Sequence, residues 1–190
     1  MARLKDLIET WEMICERMDR YGKSVLGANE EATRYALIDP ILAALGWEIN
    51  NPKYVRVECS QEYGGKPDYA LMKKNKAVIY IEAKKWGTIS SIKKLANPLY
   101  SDKLNQLSDY CISNSVSTGA FSDGGAWYII DYSKKSPKVV AFVDAKTAIK
   151  ADSNENTIIG LGKDIQYIKK AVDEIKKELR DARRGKNTTE

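Results

Sequence analysis

The sequence contains no histidine. That removes the commonest general base and the usual zinc ligand, so Ser-His catalysis and histidine-based metal centres are excluded. Cysteine is scarce: Cys15, Cys59 and Cys111 are odd in number, widely spaced and without a CxxC. They read as buried free thiols in a reducing cytoplasm rather than a disulfide framework. No apolar run approaches the length of a transmembrane helix, and Met1-Ala2-Arg3-Leu4-Lys5-Asp6 lacks the apolar core of a signal peptide. A cytoplasmic protein with no membrane partner is therefore expected. Phosphate-binding loops also fail. Gly22-Lys23-Ser24 ends like one but has Arg17 where a glycine is required, and Gly160-Leu161-Gly162-Lys163 has Thr157 in that place and Asp164 after the lysine. Hydrolytic chemistry in this chain must rest on carboxylates, lysine and a hard metal ion.

What is present suits a globular domain. The chain has 190 residues, 43% of them apolar and 30% charged, enough for one well-buried core. The net charge of +5 permits a polyanionic partner without demanding one. Residues 1–150 read as the domain, and 151–190 as a C-terminal helix and basic tail.

The chain is organised around Lys66-Pro67-Asp68-Tyr69-Ala70-Leu71-Met72 and Ala77-Val78-Ile79-Tyr80-Ile81-Glu82-Ala83-Lys84-Lys85. Each half is a short strand rich in β-branched and aromatic residues, and Lys73-Lys74-Asn75-Lys76 is a turn. A three-residue loop over Lys74, Asn75 and Lys76 puts Asp68 opposite Glu82, with Cβ atoms about 4.5–5.5 Å apart. The strand period of two then places Lys84 on the same face as Glu82. A two-residue loop instead sets Asp68 against Ile81 and disperses the group. Two carboxylates held that close need a compensating cation, and Mg²⁺ is the natural one, with a nearby lysine to orient water or offset phosphate charge. The plain alternative is a surface hairpin with a cross-strand ion pair.

Pro67-Asp68 followed by Glu82-Ala83-Lys84 resembles the signature of the PD-(D/E)xK nuclease superfamily. More closely, the chain resembles the N-terminal nuclease domain of type I restriction enzyme R subunits and their stand-alone relatives. Glu30-Glu31-Ala32-Thr33-Arg34, Leu37-Ile38-Asp39-Pro40-Ile41-Leu42, Leu45-Gly46-Trp47 and Gly64-Gly65-Lys66 also match, as do Gln106-Leu107-Ser108-Asp109-Tyr110 and Ser122-Asp123-Gly124-Gly125-Ala126-Trp127. These matches run in the family's order over residues 30–132. The resemblance implies an α/β fold with a restriction-endonuclease-like mixed β-sheet flanked by helices. It implies Asp68, Glu82, the Ala83 carbonyl and a helix glutamate as metal ligands for Mg²⁺, with Mn²⁺ able to substitute. Glu30, four before Arg34, fits that glutamate better than Glu31, although the helix dipole already favours acids in a first turn. The Q-x-x-x-Y element of RecB-like nucleases implies that Gln106 and Tyr110 face the active site, where a surface amide and a half-buried tyrosine are the bland reading. Lys66 and Lys85 are candidate DNA contacts, with a solvated lysine as the default for Lys85.

Along the rest of the chain, residues 2–20 carry a helical stripe that Gly22 stops. A second helix starts at the N-cap Asn29, buries Tyr35, Ile38, Leu42 and Leu45, is kinked at Pro40 and ends at Gly46. Residues 54–59 form a first strand. Ile89 to Leu99 is a candidate flap broken by Pro98, and Ser101 or Asp102 caps a third helix. Val116 to Phe121 and Ala126 to Tyr132 make a hairpin around Asp123-Gly124-Gly125, with Lys138 to Asp144 as a last strand. The strand at Val116 can run parallel to Ile79–Ala83 through a helical crossover. Leu161, Ile165, Ile168, Val172, Ile175 and Leu179 form a short heptad seam, an amphipathic helix that packs back or joins a second copy or restriction-complex subunits.

The resulting expectation is an Mg²⁺-dependent endonuclease acting on double-stranded DNA in restriction or defence. The alternatives are a catalytically silent nuclease-fold module for DNA binding or assembly, and a structure-specific repair nuclease.

Overall fold

The computed structural model describes residues 4–58, 66–89, 98–133 and 137–145. All lie in the first of two compact units, which ends at Ile149. The Gly64-Gly65 turn, Cys59, most of the proposed flap, the heptad helix and the basic tail fall outside the described residues.

Six strands form one sheet in sequence order: β1 (Val55–Val57), β2 (Tyr69–Lys73), β3 (Lys76–Ala83), β4 (Thr118–Ser122), β5 (Ala126–Asp131) and β6 (Lys138–Asp144). Every neighbouring pair is antiparallel except β3–β4. That parallel pair needs a crossover, and helix α4 (Pro98–Ser113) lies within it. Helices α1 (Leu4–Leu26), α2 (Glu30–Thr33) and α3 (Asp39–Ala44) precede the sheet. One core joins Ile14, Met18, Leu37, Ile38, Leu42 and Ile81, and a second joins Tyr80, Leu107, Tyr110 and Phe121. Helices thus cover both faces of a mixed sheet. This is the α/β architecture expected of a restriction-endonuclease-like fold.

The β2–β3 hairpin reaches the expected register by a different route. Lys73 pairs with Lys76, so the loop is Lys74-Asn75 alone, and both have positive φ (50° and 63°) as a type I′ turn requires. Met72 pairs with Ala77 but Leu71 with Ile79, so Val78 is an unpaired bulge residue. The bulge adds back the residue that the tighter turn removes. Tyr69 therefore faces Ile81, and continuing that register sets Asp68 opposite Glu82.

The helical half departs from expectation more. Gly22 (φ 64°, ψ −177°) kinks α1 rather than ending it, and the helix resumes to Leu26. Arg34–Ile38 is a π-helical turn between α2 and α3. Its wider turn shifts the helical phase, which buries Leu37, Ile38, Ile41 and Leu42 and turns Tyr35 and Leu45 to solvent, contrary to the predicted stripe. Pro40 has no N–H to offer the Ala36 carbonyl four residues back. The Arg17 guanidinium donates to that oxygen instead, at 2.7 Å. Asn29 is the expected N-cap, its side chain accepting from Ala32 N–H at 2.6 Å. Gly46 (φ 90°) ends α3 as expected, with Trp47 N–H bonded to Leu42 O at 3.0 Å. Helix α4 starts at Pro98, earlier than Ser101, because proline suits a first helical position, where its missing N–H costs nothing.

Candidate active site

The site forms where β3 ends beside β4. Ala83 pairs with Ser122, and Lys84 N–H continues the ladder by donating to Ser122 O at 2.8 Å. Glu82 and Lys84 are two apart on this extended backbone, and both side chains are buried. The Lys84 ammonium donates to Glu82 Oε1 at 2.8 Å and to the Ala83 carbonyl, and stands 3.7 Å from Glu30 Oε1. Glu30, rather than the exposed Glu31, thus faces the cluster. Asp68 meets the same strand end: its Oδ2 accepts from Ala83 N–H at 2.7 Å.

Arg34 holds Asp68 from the other side. Its Nη1 lies 3.6 Å from Asp68 Oδ1 and 3.0 Å from Glu58 Oε1, and its Nη2 donates to Asp68 O at 3.4 Å. The guanidinium carbon sits 4.7 Å from the centre of the Tyr69 ring, whose hydroxyl donates to Asp39 Oδ1 at 2.7 Å. Burial, then the Asp39 charge, raise the Tyr69 hydroxyl far above its usual range, so it remains a donor.

Helix α4 brings Tyr110 to the carboxylates. Its buried hydroxyl is raised in pKa first by desolvation and next by the Glu82 charge, with a smaller effect from Asp68. The Gln106 side chain and the Lys66 backbone are its polar neighbours and act against that rise. Gln106 and Tyr110, four apart, share one helical face. Lys66 and Lys85 are exposed.

Two anchors that sequence reasoning missed fix the backbone after Lys84. Thr33 Oγ1, fully buried, donates to Leu26 O at 2.7 Å and accepts from Trp86 N–H at 2.9 Å. Asp123 accepts four backbone N–H bonds, from Gly87 (3.1 Å), Ile89 (2.7 Å), Gly125 (3.2 Å) and Ala126 (2.9 Å). Burial outweighs those bonds and pushes its carboxyl up to about 6. Asp123-Gly-Gly announced only a turn, and nothing local marked Thr33. Arg34 stands in the sequence only as part of a wider match, with no local signal of its own.

The donor chemistry fits a divalent ion. Glu82 Oε1, the Ala83 carbonyl and Glu30 Oε1 surround one cation already, the Lys84 ammonium, and all are hard oxygens of the kind Mg²⁺ takes. Among the described residues no three acidic or thiol side chains gather around one point. A metal here would rely on two carboxylates, a carbonyl and solvent, which is ordinary for Mg²⁺.

No helix among the described residues is long and apolar enough to cross a membrane. No family model matches this chain, and no curated protein matches it. Among solved structures it is similar to a chain described as "cryoEM structure DrdV-DNA complex", at 14% identity and a TM-score of 0.42, over 82% of this chain and 94% of that one.

Proposed function

We propose that this protein is a magnesium-dependent DNA endonuclease of restriction or defence type. The observation that carries the reading is the end of β3, where the Lys84 ammonium lies 2.8 Å from Glu82 Oε1 and 3.7 Å from Glu30 Oε1 and the Ala83 N–H is bonded to Asp68. Asp68, Glu82 and the Ala83 carbonyl would hold Mg²⁺, with Glu30 beside them; the bound ion supplies Lewis-acid polarisation of the phosphodiester and of water. Lys84 Nζ is directed at the oxygens that gain charge as the phosphodiester opens. Gln106 and Tyr110 orient the scissile strand over the carboxylates. Arg34 and the Ala83 amide keep Asp68 in place, while Thr33 and Asp123 immobilise the chain just beyond Lys84. Exposed Lys66 and Lys85 contact flanking phosphates, so affinity falls steeply with salt.

The test is nicking of supercoiled plasmid in Mg²⁺, Mn²⁺ or EDTA by wild type, Asp68→Ala and Lys84→Ala. Metal-dependent cutting by wild type alone, with each variant down at least about 100-fold, is expected. Equal DNA binding by all three proteins with no cutting by any would replace the nuclease with a DNA-binding module.

A further inference from the structure

Glu58, the residue that follows β1, stands in a conformation its side chain does not favour. Its φ is 48°, in the left-handed region that glycine enters without strain and glutamate does not. The carboxylate is held there in an ion pair with Arg34, at 3.0 Å, and the Glu58 side chain is 64% exposed. An ion pair that open to water adds little stability, less than a left-handed glutamate costs. Stability therefore does not explain why a side chain occupies this position.

The contacts of Asp68 do. Val57 pairs with Tyr69 across β1 and β2, so the next step sets Glu58 opposite Asp68, and Glu58 N–H donates to Asp68 O at 3.1 Å. Two acids facing each other across a ladder repel, and they need a cation between them. Arg34 is that cation, but it is shared unevenly. Its Nη1 donates to Glu58 Oε1 at 3.0 Å yet stands 3.6 Å from Asp68 Oδ1, beyond hydrogen-bond reach. Its Nη2 is turned to the Asp68 backbone carbonyl, at 3.4 Å. The Ala83 amide meanwhile holds Asp68 Oδ2 at 2.7 Å. A guanidinium released from Glu58 is free to close on the Asp68 carboxylate as a two-pronged pair, and that pair takes the oxygens a divalent ion would use.

We propose that Glu58 is a positioning residue that acts through Arg34. It draws the guanidinium back from Asp68 Oδ1, so that Asp68 stays oriented and yet open to a divalent ion. In this role Glu58 touches neither the ion nor the DNA. The inference rests on the reading of Asp68 as a metal ligand.

The test measures ion binding without DNA, by calorimetric titration of the full chain with Mn²⁺, so that it does not depend on cutting. Asp68→Ala, which should abolish the binding heat, identifies the site. Glu58→Gly is expected to bind Mn²⁺ about tenfold more weakly than wild type. Its urea midpoint should be at or above that of wild type, because glycine adopts the left-handed backbone freely. Glu58→Gln keeps a hydrogen-bonding group without the charge and should fall between the two. The decisive comparison is Arg34→Met against Arg34→Met/Glu58→Gly. With no guanidinium left to restrain, the second change should make no further difference. Three results would overturn the proposal while leaving the metal site standing. One is a Glu58→Gly chain that binds Mn²⁺ as wild type does. Another is a tenfold loss that recurs in the Arg34→Met background, which would make Glu58 a distant charge only. The third is a Glu58→Gly chain that loses stability and ion affinity together, which would make its role structural. Wild type that binds no Mn²⁺, or binding that survives Asp68→Ala, would remove this inference and the metal-ligand reading with it.

Discussion

Asp123 gives this protein a pH dependence of the less common sign. Its carboxylate is caught between two opposed effects. Four backbone N–H groups favour the ionised form, and near-complete burial favours the acid. Burial wins, lifting the group from its ordinary 3.8 to about 6. Below 3.8 the folded and unfolded chains both carry the proton, and between there and about 6 only the folded chain does. Stability contributed by this group is therefore fully present at low pH and is lost as pH rises through that window. The gap corresponds to about 3 kcal/mol. Other carboxylates titrate in the same range, so the isolating measurement is a difference: urea unfolding of wild type and Asp123→Asn at half-unit steps from pH 4 to pH 7.5. The amide cannot ionise, and the stability of wild type relative to the variant should fall by about 2.4 kcal/mol across the series, the rest of the gap lying below pH 4. A difference that stays flat, or rises with pH, would mean that the four amides outweigh burial and would refute the reasoning.

Three further outcomes follow from the contacts around the site. Thr33→Val keeps the shape but strips the Leu26 carbonyl and the Trp86 amide of their partner, at a cost of about 2–4 kcal/mol by urea unfolding, whereas Thr33→Ser should cost about 1 kcal/mol. Gly124→Ala adds a Cβ that overlaps the Cβ of Leu37 at a backbone φ of +77°; a loss of about 3 kcal/mol is expected in thermal melts, and Leu37→Ala, which keeps the offending atom, should not rescue it. Arg34→Met withdraws the guanidinium from Asp68, Glu58 and Tyr69. Plasmid nicking should fall about 10- to 100-fold with little change in DNA affinity, since a displaced carboxylate harms chemistry before binding; unchanged nicking would mean that the Ala83 amide alone orients Asp68.

The hairpin, the parallel crossover, the Asp123-Gly-Gly turn and the last strand were legible because each rests on local alternation or turn chemistry. Lys84 reaches Glu82, two residues back on the same face of β3, and Asp68 reaches the Ala83 amide between them. Their register came out right for a reason the residues did not disclose. A two-residue turn alone would have set Asp68 against Ile81, and the bulge at Val78, invisible in composition, restores the pairing. The π-helical turn at Arg34–Ile38 was hidden for a similar cause. Apolar residues at 35, 38, 42 and 45 fit a uniform helix, and only the fold reveals that the phase slips. The anchors at Thr33, Arg34 and Asp123 were illegible because their partners lie 53, 34 and 36 positions away along the chain.

Lys84 has one more implication. Because its ammonium neutralises Glu82 from within the chain, the acidic corner carries a built-in counter-ion and needs no dissolved ion to fold around. In chelator the chain should therefore still unfold in one cooperative transition, lower than in Mg²⁺ only by the binding free energy of the ion.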